Sequence, residues 1–342
     1  MNIRNIASSI LIIIAIIVAL IFGKKLIIPF LFAVLFWFIV HEIRHFIDRS
    51  KYIESKFPTW LKNIATSLII ILFIGFISSI ISSSINALSQ SYKNYEQNVG
   101  ILIKLINEAF GVEIYDVIKG HAADLNFGKI LNAIINSISD ILGNAFMILI
   151  YAIFIFLEEK NFKSKLGLLF KDKGQVEKVD QLLTNIKISI SKYLGLKTMV
   201  SFLTGFLSYI ALAIIGIDAP LFWALLIFLL NFIPTIGSLI ATIFPMIFCL
   251  LQFGELSQGI MVLIFVGAIQ ILVGNIIEPK VMGNSMNISP LVTILSLSFW
   301  GAVWGITGMI LSVPITVILI IIFAQFNSTK RAAILLSEKG KV

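Results

Sequence analysis

The chain has 342 residues, of which 58% are hydrophobic and only 13% are charged, and its mean hydropathy is +1.02. This composition lies far outside the range of soluble proteins and excludes a soluble enzyme, a nucleic-acid-binding protein and a disordered chain. The net charge of +8 does not indicate a nucleic-acid partner, because the basic residues lie in loops beside apolar runs. The sequence therefore predicts an integral membrane protein.

Eight long stretches contain no Asp, Glu, Lys or Arg. They are residues 5–23, 26–40, 63–92, 141–157, 198–217, 219–254, 256–277 and 281–329. A helix needs about 20 apolar residues to cross roughly 30 Å of hydrocarbon. Because the stretches are continuous runs of Ile, Leu, Phe and Val without alternating polarity, they predict helices and not the strands of a barrel. The expected fold is an all-α polytopic membrane protein with about eight hydrophobic segments.

The loops between these stretches differ in charge. Residues 41–62 hold five basic and three acidic residues, and residues 158–197 hold nine Lys and five acidic residues, whereas residues 86–140 hold four Lys and six acidic residues. The positive-inside rule places the first two loops and the basic C-terminal tail in the cytoplasm and residues 86–140 outside. By parity, the N-terminus is also cytoplasmic.

These observations divide the chain into six parts. In order they are three spans in 1–85, an outer amphipathic helical excursion at 86–140, a fourth span at 141–157, a cytoplasmic basic amphipathic helix at 158–197, a transport bundle at 198–329 and a cytoplasmic tail at 330–342. Apolar residues recur at helical spacing from Tyr95 to Phe110 and from Val176 to Tyr193. The second stripe suits a helix that lies on the lipid surface or on the bundle's own cytoplasmic face.

The bundle at 198–329 contains only four charged residues in 132. They are Asp218, Glu255, Glu278 and Lys280. Asp218 precedes Pro220 and is expected to cap the next helix.

Two runs in this bundle are too long for a single crossing. At 36 and 49 residues, 219–254 and 281–329 would form helices of about 54 and 73 Å. Proline and glycine interrupt both, which predicts that they are broken or re-entrant. The interruptions are Pro234 and Gly237 in the first run and Gly301, Gly305, Gly308 and Pro314 in the second. Parity allows one crossing by each run, giving eight spans, or two hairpins around one span, giving six.

Rare polar groups lie near the first interruption and at the end of the following apolar run. A broken helix in hydrocarbon frees carbonyl groups that must find protein or water, and paired breaks point to a transporter's binding site. Asn231 and Thr235 flank Pro234. Gln270 and Asn275 lie along one apparent span, where they can share a face and bind a polyol or hydrated cation, or bond a neighbouring helix. Glu278 suits a proton carrier if it is withdrawn from water, and an interfacial role beside Lys280 is the alternative.

Four motifs follow one another in this half of the chain. They are Asn231-Phe-Ile-Pro-Thr-Ile-Gly237 with Pro245 eight residues later, Asn275-Ile-Ile-Glu-Pro-Lys280, Ser289-Pro290, and Gly301-x3-Gly305-x2-Gly308-x5-Pro314. Their order and spacing resemble the autoinducer-2 exporter family of permeases, and the early spans and two polar excursions match its layout. The resemblance implies a multi-span inner-membrane transporter. It also implies that some members export autoinducer-2 and that others exchange sodium or lithium for protons.

Two other functions stay open. His41, Glu42 and His45 form an H-E-x-x-H pattern, which on a helix can hold zinc with Glu as general base, as in an intramembrane zinc metalloprotease. A catalytic zinc needs a third protein ligand, and the charge argument places the remaining histidine, His121, on the other side of the membrane. An oligomeric ion channel is the second alternative, although the sequence has no repeated pore loop. It also has no Walker A motif for a nucleotide.

We therefore predict a permease of the bacterial inner membrane that is not an enzyme and needs no metal or other cofactor. The predicted substrate site consists of Asn231, Pro234, Thr235, Gly237, Gln270 and Asn275, with Glu278 as the proton- or ion-coupling residue. Gly301, Gly305, Gly308 and Pro314 are predicted to break or pack helices. The expected partners are membrane lipid and a small polar solute or a cation, namely H+, Na+ or Li+. No nucleic acid is expected, and a homo-oligomer is left open.

Overall fold

The protein is described by a computed structural model that covers residues 3–48, 58–90, 98, 101, 136, 139–140, 143–169, 173–283 and 287–340. Within these residues the regular secondary structure is helical throughout, which confirms the predicted all-α membrane fold. Nearly all of the predicted outer excursion at 86–140, including the stripe from Tyr95 to Phe110, lies outside the described residues.

Eleven helices follow one another along the described part of the chain. They are α1 (Ile3–Phe22), α2 (Lys24–Asp48), α3 (Thr59–Gln90), α4 (Ala145–Leu169), α5 (Lys173–Ile215), α6 (Pro220–Leu230), α7 (Ile236–Phe253), α8 (Leu256–Leu272), α9 (Glu278–Met282), α10 (Pro290–Gln325) and α11 (Lys330–Leu336). A π-helical segment, Val273–Ile277, joins α8 to α9. Among the residues that the structure describes, five ranges are long and apolar enough to cross a membrane: Lys24–Arg44, Gly174–Ile215, Ile236–Phe253, Leu256–Met282 and Pro290–Gln325.

The helices form two compact units. The first contains Met1–Thr66, Ile135–Gly195 and Asn284–Val342, and the second contains Ser67–Ile134 and Leu196–Gly283. The end of the predicted cytoplasmic excursion, residue 197, falls inside α5, which continues from Lys173 to Ile215.

In the first unit, α2 packs along α4, and the rings of Phe30 and Tyr151 meet edge to face with centroids 5.9 Å apart. Two tryptophans of α10, Trp300 and Trp304, form a buried cluster with apolar side chains of α1 and α2. The indole N–H of Trp304 donates a hydrogen bond of 3.0 Å to the carbonyl oxygen of Leu20. This bond gives the indole donor of Trp304 a partner inside the apolar cluster.

In the second unit, α6 and α7 form a helical hairpin. The rings of Trp223 in α6 and Phe248 in α7 lie 5.0 Å apart, so the two helices run side by side. The two ends of the hairpin lie side by side. The side chain of Gln252 accepts a hydrogen bond from the backbone N–H of Asp218 and donates one to the carbonyl oxygen of Gly216. Asn98 donates to the carbonyl oxygens of residues 251 and 252 at this end.

The long helix α10 also folds back on itself. Gly305 has a non-helical backbone with φ of 64° and ψ of −144°. The hydroxyl of Ser296 donates a 3.2 Å hydrogen bond to the carbonyl oxygen of Ser312, whereas 16 residues of straight helix would separate them by about 24 Å. Both runs flagged by length are therefore broken. Each forms a helical hairpin in the described structure, and the number of times each crosses the membrane stays a prediction.

The expected capping role of Asp218 is wrong. The residue at the N-cap of α6 is Ala219, in the left-handed region with φ of 53°, and no side chain caps the helix. Pro220 at the first turn needs no backbone partner, so the helix starts without the usual polar cap.

Candidate functional site

One face of α5 carries four buried polar side chains, which we call the α5 polar face. They are Lys197, Ser201, Thr204 and Ser208. Their spacing of four, three and four residues places them along a single side of the helix. A polar group withdrawn from water in a membrane needs a hydrogen-bond partner. Neighbouring segments or water molecules must therefore supply partners for the side chains of this face. Thr204 bonds back to the carbonyl of Val200, and the hydroxyl of Ser208 has no partner among the described residues.

The turn between α6 and α7 contacts the α5 polar face through Asn231. Helix α6 ends here because Pro234 cannot donate the backbone hydrogen bond that would continue it. The amide of Asn231 donates to the hydroxyl oxygen of Ser201 at 3.0 Å, and the Asn231 side chain is buried. This hydrogen bond fixes the predicted substrate segment at 231–237 on α5.

A glycine holds the start of α7 against the end of α6. A methyl group placed on Gly237 would lie 1.9 Å from the carbonyl oxygen of Leu230, so no other residue fits without movement of the backbone. Thr235 has a φ of 61°, which is costly for a β-branched residue, and its side chain is exposed. Pro234 is half-buried. Strain at a turn of this kind persists only where the surrounding contacts enforce it.

Glu278, which lies 81 residues after Lys197 in the sequence, contacts the same face of α5. Its carboxylate lies 2.5 Å from the ammonium of Lys197, and the two side chains are 19% and 6% exposed. Pro279 removes the donor that would close the preceding helical turn, and the chain forms the π-helical segment Val273–Ile277 directly before Glu278. Withdrawing two charges from water costs several kcal/mol per ion, so a pair of this kind in an apolar bundle is a candidate functional site.

The α5 polar face therefore brings together two segments that lie far apart in sequence. Lys197 and Ser201 are one helical turn apart, a rise of about 6 Å. Asn231 binds the second and Glu278 binds the first. Lys197 and Ser201 are not among the site residues predicted from the sequence. Their signal was present as four polar residues at helical spacing that begin at the last charge before the apolar run 198–217.

Gln270 and Asn275 do not share a face. Gln270 is buried, and its amide nitrogen has no hydrogen-bond partner in the described part of the structure. Asn275 lies in the π-helical segment and is exposed. The π-helical segment changes the angle between successive side chains, so the spacing expected for an α-helix does not apply.

The glycines of the second long run lie at the turn and at the close contacts of the α10 hairpin, in the first unit. A methyl group on Gly308 would lie 1.9 Å from the carbonyl oxygen of Trp300, and one on Gly301 would lie 2.9 Å from the terminal carbon of Met309. Gly305 supplies the positive φ of the turn, and Pro314 is buried within the second limb. In this geometry the three glycines allow the two limbs to turn and approach closely.

Two residues of the H-E-x-x-H pattern, His41 and Glu42, make contacts with neighbouring helices. His41 is buried, and its Nε2 lies 2.9 Å from Oε1 of Glu159, while the indole of Trp37 donates to the other carboxylate oxygen at 3.0 Å. Glu42 packs against Gly195. The side chain of His45 lies outside the described set. Among the side chains that are described, no three His, Cys, Asp or Glu residues are grouped to hold a metal.

Glu159 is the centre of this cluster in the first unit. Burial raises the pKa of its carboxyl group, but the hydrogen bonds from His41 and Trp37 and the charge of Lys187 outweigh burial and lower the pKa to about 2. Lys187 lies 3.5 Å from the carboxylate and 5.1 Å from the Trp37 ring. The arrangement ties α2, α4 and α5 together and does not support the metalloprotease alternative.

Comparison with known proteins gives concordant results. The family model described as AI-2E family transporter matches residues 10–328. A candidate transport protein of Borreliella burgdorferi is 35% identical over 258 residues, which cover 74% of this chain and 70% of that protein. The AI-2 transport protein TqsA of Escherichia coli K12 is 29% identical over 325 residues, with coverage of 94% and 92%. A sodium-lithium/proton antiporter of Halobacillus andaensis is 28% identical over 192 residues, with coverage of 56% and 52%.

Proposed function

The chain belongs to the AI-2E transporter family and is a multi-pass transport protein of the bacterial membrane, and from this premise we propose how it transports. The protein moves a small polar solute or a cation by exposing the α5 polar face alternately to the two sides of the membrane. Transport is coupled to an ion gradient through Glu278. The solute site includes Asn231, and Pro234 and Gly237 shape the turn that carries it.

The observation that carries this proposal is the convergence of Asn231 and Glu278 on adjacent turns of α5. Charged and polar groups at this depth are costly and favour a solute or ion pathway. The break beside Asn231 and the π-helical segment before Glu278 both interrupt regular helix at the site, as in transporters whose binding sites lie at discontinuous helices. The buried side chains of Ser208 and Gln270 each have a polar atom without a partner among the described residues, and these atoms give such a pathway further points for water or solute to bind.

Two substrate classes follow from the names of the relatives. TqsA is named for transport of AI-2, and the Halobacillus protein for exchange of sodium or lithium against protons. A buried carboxylate beside hydroxyl and amide groups suits a monovalent cation or proton directly, and it suits a polyol if the proton gradient drives export. In either case Glu278 is the group that changes its charge partner during the cycle.

The proposal also includes the orientation and assembly of the chain. Both termini lie in the cytoplasm and residues 86–140 lie outside, as the distribution of basic residues favours. The Lys197 end of the α5 polar face is then near the cytoplasmic side, because the basic loop 158–197 ends there. Homo-oligomers of the chain are compatible with this arrangement.

Flux into proteoliposomes tests the proposed function. Sodium, lithium and autoinducer-2 are each supplied under an imposed pH gradient, and saturable gradient-driven flux of at least one is expected. Glu278→Gln should reduce that flux to background. Glu255→Gln is the matched control, since Glu255 is exposed at the start of α8 and accepts a local hydrogen bond from Ser257. Unchanged flux in Glu278→Gln would remove the coupling role, and single-channel currents would favour a pore.

A further inference from the structure

The ammonium of Lys197 occupies the position beside Glu278 that a transported cation would take. It lies 2.5 Å from one carboxylate oxygen, and both side chains are largely withdrawn from water. A carboxylate that binds a monovalent cation must offer its oxygens to that cation. In the state that the structure describes, the side chain of Lys197 is already bound to one of them.

We propose that Lys197 is a tethered competitor for the cation site at Glu278. Sodium or lithium binds the carboxylate only when the ammonium leaves it, and the ammonium returns when the ion departs. This inference rests on the proposed function, and it adds a residue that sets the affinity of the site. The empty site is neutral because Lys197 fills it, whereas a bare carboxylate at this depth would be costly.

The charges near the pair leave Lys197 as the competitor. Helices α6, α7 and α8 contain no Asp, Glu, Lys or Arg. On α9, Lys280 is exposed, and on α5 the preceding Lys192 is also exposed. Within the described part of the second unit, the buried cation that faces Glu278 is therefore Lys197.

The chemistry of lysine permits this exchange. Its charge sits on a flexible four-carbon stem, unlike the planar guanidinium of arginine, which binds a carboxylate through two parallel hydrogen bonds. A released ammonium also has an acceptor close by, because the hydroxyl oxygen of Ser201, one turn along α5, has a second lone pair beyond the one used by Asn231. The ammonium of Lys197 can therefore leave the Glu278 carboxylate and donate a hydrogen bond to Ser201 instead.

Substitutions at Lys197 have opposite expected effects for a competitor and for a structural partner. Lys197→Gln removes the competing charge and should lower the half-maximal sodium or lithium concentration about tenfold. Lys197→Arg binds the carboxylate more firmly and should raise that concentration several-fold. If the pair only holds the fold together, arginine should behave like the wild type and glutamine should only lower thermal stability.

Cation-dependent thermal stabilisation of the purified full-length protein measures this affinity without transport. Sodium or lithium chloride is titrated against choline chloride at constant ionic strength. A ligand that binds only the folded state stabilises it by RT ln(1 + [L]/Kd), so the rise of the melting temperature with concentration gives Kd, which is the concentration for half-maximal binding. The variants are Lys197→Gln, Lys197→Arg and Glu278→Gln, with Glu255→Gln as control. If Lys197→Gln does not fold, the Lys197→Arg titration decides alone.

The outcomes separate this inference from the proposed function. Opposite shifts in the two Lys197 variants, with no cation-specific stabilisation in Glu278→Gln, support the competitor. Equal half-maximal concentrations in wild type, Lys197→Gln and Lys197→Arg would overturn it, and so would a wild type and Lys197→Gln that both ignore sodium and lithium. In either case the proposed function stands if Glu278→Gln still abolishes gradient-driven flux, and it fails separately if that variant transports normally.

Discussion

Glu278 and Lys197 form a partly buried ion pair of 2.5 Å although they are 81 residues apart in sequence. The pair joins the end of the π-helical segment to α5, one turn from the hydrogen bond between Ser201 and Asn231. It brings Glu278, one of the four charged residues in 198–329, to Lys197, the last charged residue before that region. The following predictions test the contacts that build this site and the helices that hold it.

The hairpins require glycine at their closest contacts. Gly237→Ala and Gly308→Ala each place a methyl group 1.9 Å from a backbone carbonyl oxygen, which cannot rotate away as a side chain can. Each variant should therefore lose roughly 1–3 kcal/mol of stability or more, as overpacked sites do. Gly267→Ala in α8 is the control, since its methyl group would meet only the Thr242 side chain at 3.8 Å. Thermal unfolding in detergent compares the three, and equal melting temperatures would contradict the hairpin geometry.

The Asn231 to Ser201 hydrogen bond should couple the turn to α5. Asn231→Ala and Ser201→Ala are measured singly and together, and the double variant should be more stable than the sum of the two losses predicts, by about 1 kcal/mol. The physical reason is that each single variant leaves the other polar group buried without its partner. Strictly additive losses would mean that the two groups do not depend on one another.

The Glu159 cluster should give the protein a specific acid sensitivity. Its pKa of about 2 in the folded protein lies below the ordinary 4.5, so the charged carboxylate stabilises the fold above about pH 4.5. This stabilisation should fall as the pH drops toward 2. The melting temperature of the wild type should exceed that of Glu159→Gln at pH 7, and the difference should shrink between pH 4.5 and 3.

Glu158→Gln is the control for that measurement, because Glu158 is exposed and pairs with the exposed Lys165. Its difference from the wild type should be small at every pH. A Glu159→Gln difference that stays constant from pH 7 to pH 3 would show that the carboxylate charge does not stabilise the cluster.

Purified protein that carries zinc at one ion per chain, lost in His41→Ala, would reopen the metalloprotease alternative.

The hairpin of α6 and α7 predicts on which side Glu255 lies. The hairpin returns to the loop at Asp218, so both residues should face the outside if the basic loops face the cytoplasm. The single cysteine, Cys249, is buried and is first replaced by serine. In intact cells, a membrane-impermeant thiol reagent should label Glu255→Cys and should not label Lys339→Cys in the tail. Labelling of Glu255→Cys only after the cells are opened would indicate a single crossing by 219–254.

The parts of the fold that depend on local chemistry could be predicted from sequence. Apolar runs in a membrane must form helices. Pro234 and Gly305 interrupt these helices whatever the helices pack against, so both breaks could be predicted from the sequence. Pro314 was read in the same way, but it lies within a continuous limb. A proline in a membrane helix can be accommodated when neighbouring groups satisfy the freed carbonyl, and the sequence alone does not indicate which prolines will be.

The site depended on tertiary contacts and on backbone geometry that spacing does not reveal. Glu278 is predictable because a charge is rare in this region, whereas its partner Lys197 ends a basic loop and does not differ from the other lysines of that loop. Gln270 and Asn275 were placed on one face by assuming regular helix, and the π-helical segment separates them into a buried and an exposed residue. Only the folded chain shows which face of α5 each segment contacts.

Access of water to the α5 polar face tests the central claim most directly. In a Cys249→Ser background, Ser208→Cys places a thiol where the structure has a buried hydroxyl without a described partner. Leu212→Cys, one turn further along α5 and equally buried, is the apolar control. A membrane-impermeant thiol reagent should modify Ser208→Cys at a rate that changes when transported ion or solute is added, and it should leave Leu212→Cys unmodified. Failure to modify Ser208→Cys from either side under any gradient would contradict alternating exposure of this face.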